Sequence, residues 1–257
     1  MNTISELSPL GILVPMHEEV EQLLGEIEAP QMIEYARRVF YVGTLEGKSV
    51  VLAQSGIGKV AASFTATLLI RHFQVKSLVL SGVAGGLAET VQIGDLVIAK
   101  EAIQHDMDCR PLYPQFQIPH SGLSFYPMDK KMTDTLELAA KAFIQEDYER
   151  LISSEVQKEL GIAVPHVHKG LLVSGDQFIG TEAQFSKIMS ELPEAHFVEM
   201  EGAAVAQVCH DLAIPFGSIR TISDKANDIA HIDFNKFLNE AAKIYTAAII
   251  RHFLRRL

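Results

Sequence analysis

The sequence predicts one three-layer α/β/α domain, a twisted sheet between two layers of helices. Three observations predict it. Short β-branched runs alternate with longer amphipathic stripes along the chain. The 257 residues suffice for one large α/β domain with a real core. No Pro/Gly/Ser linker or internal repeat divides them, so residues 1–257 are expected to form a single domain behind an N-terminal extension, 1–10.

Eight aliphatic and β-branched runs bounded by turn residues read as strands. They are GILVP (11–15), RVFYVGTL (38–45), SVVLAQS (49–55), SLVLSG (77–82), DLVIAKEAI (95–103), KGLLVSG (169–175), HFVEM (196–200) and FGSIRTIS (216–223). Glu46-Gly47-Lys48 turns a hairpin over 38–55, the glycine being free to take a positive φ. Val20, Leu23, Leu24 and Ile27 mark the first helical stripe, and others cover 59–73, 129–150, 182–191, 201–212 and 233–255. This alternation implies a mostly parallel sheet covered on both faces. Residues 104–128 hold four prolines and no period, the composition of a long loop that serves function or packs on a partner. Residues 145–168 are polar and charged, and read as a solvated elaboration.

A net charge of −10 argues against a nucleic-acid partner, which needs a basic surface. The one basic cluster, Arg251, Arg255 and Arg256, falls in the last helical turns, where cations suit the helix dipole. Cys109 and Cys209 form no disulfide framework or C-x-x-C pair, which fits a reducing cytosol, and a cytoplasmic location is expected. MNTISELSPL lacks the basic and apolar regions of a secretion signal, and no apolar run is long enough for a bilayer. His105-Asp106-Met107-Asp108 and His166-Val167-His168 lack a third matched ligand, so neither metal nor cofactor is expected.

Three groups of residues carry chemistry. GIGKVA (56–61) follows a strand and opens a helix, as in G-x-G-x-x-G/A dinucleotide sites, but the next strand ends without the acid that would hold a ribose. The glycines of SGVAGGL (81–87), at the end of a buried strand, would let backbone face a ligand. Acids stand at several strand ends: Glu18 and Glu19, Asp176, Glu199 and Glu201 around Met200, and Asp224. One such acid alone is a helix cap more often than not. Several at one sheet edge suggest acid/base cleavage of a glycosidic bond. Glu201 begins a helix whose dipole would favour its ionised form. If the strand runs on through Met200, that side chain faces away from Glu199 and Glu201.

Together these pieces resemble the 5′-methylthioadenosine/S-adenosylhomocysteine nucleosidases of the nucleoside phosphorylase superfamily. The motifs that match, in order, are PMHEEV (15–20), SGIGKVAA (55–62), SGVAGGL (81–87), GDLV (94–97), QHDMD (104–108), VSGDQFI (173–179), VEMEGAAVAQVC (198–209), RTISDKAN (220–227) and DFNKFL (233–238). The resemblance implies a nucleoside phosphorylase-like domain with a central mixed sheet, and a homodimer whose loops complete each other's pockets. It implies that Glu19 activates water, Asp224 protonates the purine, and Glu201 with Met200 holds the ribose. Phe178 would stack on adenine, the Ile179 backbone read its edge, Gly85 and Ile57 line the substrate site, and Phe234 close it. Cys109, Leu112 and Pro119 of the 104–128 loop would cover the 5′-substituent in the other subunit. Val83, Val14-Pro15 and the long 145–168 segment depart from the family pattern.

Hydrolysis of methylthioadenosine, S-adenosylhomocysteine or 5′-deoxyadenosine is the activity so implied; the alternatives are a 6-amino-6-deoxyfutalosine hydrolase of menaquinone synthesis and a purine nucleoside phosphorylase. A phosphorylase would need arginines for its dianion, and neither the Glu19 segment nor SGVAGGL offers one. A non-catalytic nucleoside-binding protein would have lost an acid, yet Glu19, Glu201 and Asp224 are all present.

Overall fold

The computed structural model describes residues 9–227 and 230–257; most of the expected N-terminal extension lies outside them. In chain order the first elements are β1 (Leu10–Val14), α1 (His17–Leu24), β2 (Glu28–Tyr35), β3 (Arg38–Leu45), β4 (Lys48–Gln54), α2 (Lys59–Arg71), β5 (Ser77–Gly86), β6 (Leu96–Gln104) and β7 (Phe125–Pro127). There follow α3 (Lys130–Ala142), α4 (Tyr148–Leu151), α5 (Ser154–Leu160), β8 (Val167–Ser174), α6 (Glu182–Glu191), β9 (Ala195–Glu199), α7 (Gly202–Asp211), β10 (Phe216–Asp224), α8 (Ala230–Phe237) and α9 (Lys243–Leu254). π-helical turns at Phe143–Asp147 and Leu238–Ala242 interrupt the two long helices expected over 129–150 and 233–255.

The strands form one mixed sheet. β1 lies parallel between β4 and β5, and β10 runs parallel to β5, as alternation predicts. However, β5 meets β9 antiparallel, and β10 meets β6 antiparallel. With the parallel pairs β6–β8 and β8–β9, these contacts close β5, β9, β8, β6 and β10 into a ring. From it β1, β4, β3 and β2 extend as an open sheet. The expectation of a mostly parallel sheet is corrected accordingly. A buried strand shows its neighbours the same aliphatic run whichever way they point.

β1 shows why its run is apolar throughout. Leu10, Ile12 and Val14 enter a core with α1, α3 and α9, while Leu13 enters a second core with α2 and α7. The strand has a helical layer on each side. β2 was not expected, because EAPQMIEY carries no buried apolar alternation; it is an edge strand held by β3 alone. The hairpin turn falls as expected, with Glu46 and Gly47 both at positive φ.

Two other expectations change. The irregular 104–128 stretch contains β7, which pairs with β6 over Glu101–Ile103. The 145–168 segment is not simply solvated, for Tyr148, Ile152 and Ile162 are buried in the main core. Tyr148 packs edge-on against Phe143 and Tyr245, and its hydroxyl donates to Ala163 O at 3.2 Å. The C-terminal arginines do more than face a dipole. Arg251 pairs with Glu26 and Asp147, and Arg255 makes two hydrogen bonds to Glu46.

Candidate active site

The chain ends of β1, β4, β5, β8, β9 and β10 converge around one cavity of about 370 Å3, a size ordinary for a small-molecule site. Gly85 marks the junction, since it is opposite Val198 of β9 and Asp224 of β10 at once. Strands that run antiparallel, β5 and β9, overlap there only at their last residues. Of the residues singled out in the sequence, Ile57, Gly85, Phe178, Ile179, Met200, Glu201, Asp224 and Phe234 line the cavity. Phe178 and Phe234 meet edge-to-face, ring centres 5.7 Å apart, although they come from different parts of the chain. Cys109, Leu112 and Pro119 lie outside it; Leu112 is 82% exposed.

Asp224 ends β10 and is 2% exposed. Ala226 N–H donates to its Oδ1 at 2.9 Å and the Ser223 hydroxyl to its Oδ2 at 2.8 Å. Burial nevertheless holds its carboxyl above the usual carboxylate range.

Glu19 does not line the cavity, but it is bonded to Met16, which does. It is the third residue of α1, and its Oε2 returns to accept from Met16 N–H at 3.3 Å, half of a capping box. Its Oε1 accepts from the Thr246 hydroxyl of α9 at 2.8 Å. Complete burial pushes this carboxyl from 4.5 up to about 7 against those two hydrogen bonds and the positive field of Arg220.

The pair Glu199 and Glu201 resolves differently from the sequence reading. β9 ends at Glu199, so strand alternation does not extend to Met200, and Met200 and Glu201 both face the cavity. The amides that open α7 go to Glu199, which accepts from the N–H groups of Glu201 (3.1 Å) and Gly202 (2.9 Å). The helix dipole therefore acts on Glu199. Glu201 turns away, accepting from Gly58 N–H at 3.0 Å and from Arg220 Nη2 at 3.2 Å. Burial and the adjacent Glu199 carboxylate hold Glu201 well above the usual range. The GIGKVA loop thus offers its amide to a carboxylate. Asp176 accepts from Lys59 N–H at the start of α2, as a helix cap would.

Sequence reasoning missed Arg220, Thr246 and Ser174. Arg220 is fully buried in β10, and its Nη2 is shared by Glu199 and Glu201 while Nε and Nη1 have no partner among the described residues. Its signal was visible: an arginine inside the apolar run FGSIRTIS must find carboxylates or be very costly. A Cβ on Gly82 would lie 2.5 Å from Arg220 Nη1 and 2.8 Å from Pro15 Cδ, so only glycine lets the guanidinium pass. Thr246 had no such signal, being one hydroxyl in a long helix. Among the described residues, no lysine, arginine or histidine lines the cavity, and no group of three His, Cys, Asp or Glu is placed to hold a metal ion.

Comparison with known proteins bears on the family and the fold. The family model described as the phosphorylase superfamily matches residues 9–255. Among solved structures, the 5′-methylthioadenosine/S-adenosylhomocysteine nucleosidase of Neisseria meningitidis, in complex with methylthio-immucillin-A, is 33% identical with a TM-score of 0.86. The match covers 98% of this chain and 100% of that one. The nucleosidase of Colwellia psychrerythraea, in complex with adenine, is 30% identical with a TM-score of 0.86, covering 98% and 96%. Futalosine hydrolase of Helicobacter pylori is 31% identical with a TM-score of 0.81, covering 98% and 99%.

Proposed function

Since the chain belongs to the phosphorylase superfamily, as an N-glycosyl hydrolase of its nucleosidase family, we propose that it cleaves 5′-substituted adenine nucleosides with water. The proposed substrates are methylthioadenosine, S-adenosylhomocysteine and 5′-deoxyadenosine, the products adenine and the ribose derivative, as in methionine salvage. The observation that carries this reading is the set of buried carboxyls around one cavity, Asp224 and Glu201 on its wall and Glu19 bonded to Met16 of that wall.

Cleavage of the N-glycosidic bond leaves negative charge on the departing purine. Asp224, held above the usual carboxylate range by burial, is suited to keep a proton and give it to the base. Phe178 and Ile179 hold the base beside it. Glu201 takes the ribose hydroxyls, with Arg220 as its counter-charge when it ionises against the developing positive sugar. Glu19, held up to about 7, draws a proton from the attacking water near neutrality. A homodimer in the cytoplasm is part of the proposal, with Cys109, Leu112 and Pro119 reaching the neighbouring site. The exposed Leu112 and Tyr113 support that arrangement.

Water is favoured over phosphate by charge. Among the described residues no lysine, arginine or histidine lines the cavity, and Nη2 of the buried Arg220 is already shared by Glu199 and Glu201. A phosphate dianion in the cavity would lack the cationic side chains that hold such a group. The test is adenine release from each nucleoside with and without phosphate, 6-amino-6-deoxyfutalosine included. Phosphate-independent release is expected. A strict phosphate requirement, or tight binding without release, would overturn the proposal.

A further inference from the structure

We propose that Glu199 is a positioning residue for the ribose-holding acid, binding the first turn of α7 and the Arg220 guanidinium into one unit that aims Glu201 at the cavity. The inference rests on the reading of Glu201 given above. Glu199 touches the cavity edge but is only 7% exposed. Its Oε1 accepts from Gly202 N–H at 2.9 Å and from the Ser174 hydroxyl. Its Oε2 accepts from Glu201 N–H at 3.1 Å, Gly202 N–H at 2.9 Å and Arg220 Nη2. A carboxylate has about four acceptor positions. Four donor groups fill them, so Glu199 has no capacity left for a sugar hydroxyl.

Its neighbours explain what this saturation does. Arg220 Nη2 lies between the two acids, touching Glu199 and, at 3.2 Å, Glu201. Without Glu199 the guanidinium has only Glu201 as its acid partner there, and would draw that side chain off the cavity. The Ser174 hydroxyl also accepts from Ala203 N–H at 2.8 Å, which fixes α7 to the end of β8. Glu201 is the residue that precedes α7, so every constraint on the first turn of that helix is a constraint on its aim. Aspartate at 199 would be too short by one methylene to reach both Arg220 and the helix amides.

The experiment compares the full chain with Glu199→Gln, Glu199→Asp and Ser174→Ala, each corrected for its folded fraction by thermal melting. Glutamine keeps the size but replaces one acceptor by a donor that faces donors. Ser174→Ala leaves the charge and loosens the same carboxylate from its other side. For Glu199→Gln, kcat/KM for nucleoside hydrolysis should fall about 10²-fold, the cost of a misplaced site group. Adenine, which the proposed function sets against Phe178 and Asp224 rather than Glu201, should bind as it does to the parent. Ser174→Ala should show a smaller loss of the same selectivity, and Glu199→Asp should not restore the parental rate. Parental turnover per folded molecule in both Glu199→Gln and Ser174→Ala would overturn the proposal. So would adenine affinity falling in step with nucleoside turnover, which marks a general collapse of the site. A parent chain that cleaves no adenine nucleoside would instead remove the functional reading beneath it.

Discussion

Replacing Thr246 with valine tests whether Glu19 is the base. The change removes the hydroxyl that donates to Glu19 Oε1 at 2.8 Å and leaves Met16 N–H on Oε2. That hydroxyl is the largest influence opposing burial, which holds Glu19 at about 7 instead of 4.5. A hydrogen bond to an ionised group contributes about 1.5–3 kcal/mol, and 1.36 kcal/mol corresponds to one pH unit. Its loss moves the Glu19 carboxyl up by about one to two pH units. A base works as the carboxylate, so kcat/KM rises with pH through this value. In the variant the acid limb shifts upward, and at neutral pH the ionised fraction drops from about one half to roughly 1–10%. Adenine release should therefore slow by about five- to fiftyfold near pH 7 and recover toward the parental rate at higher pH. The assay is kcat/KM for one nucleoside across the pH range in both proteins. An acid limb that stays in place or moves down would refute the assignment.

Three further outcomes are expected. Asp224→Asn removes the proton donor, and adenine release should fall by about 10²–10⁴-fold while adenine still binds; unchanged turnover would defeat the acid role. Glu19, Glu201 and Asp224 are all raised by burial, so the folded protein holds protons that the unfolded chain releases. Their stabilisation is full below the unfolded values of 4.5 and 3.8 and is lost as pH rises through the folded values, near 7 for Glu19. For Glu19 alone this is about 3 kcal/mol, so the melting temperature should fall between about pH 5 and pH 8, and a rising profile would contradict it. Gly82→Ala places a methyl 2.5 Å from Arg220 Nη1; a loss of about 1–3 kcal/mol in urea unfolding is expected, with reduced turnover.

Elements whose own residues are apolar and periodic were legible before any coordinates. β3 and α6 fall on their expected bounds, 38–45 and 182–191, because each carries its period within itself. β2 was illegible for the opposite reason, since its pairing with β3, not its composition, makes it a strand. The 145–168 segment misled because its average polarity hides Tyr148, Ile152 and Ile162, which are buried in the main core. In the site, Arg220 and Ser174 stood inside matched motifs but no role was read for them, because their partner Glu199 lies in another part of the chain. Thr246 lies 227 positions from the Glu19 it serves.

The two acids around Met200 show the division. By itself the sequence determined that Glu199, Met200 and Glu201 sit between a buried strand and a buried helix, and that acids gather at strand ends. Only tertiary structure decided which acid caps α7 and which faces the cavity. Donor supply decides it: the α7 amides, Ser174 and Arg220 converge on Glu199, leaving Glu201 with Gly58 and a shared guanidinium. Ser174 comes from β8, Arg220 from β10 and Gly58 from the loop before α2, and no local spacing records how the fold divides them between the two carboxylates.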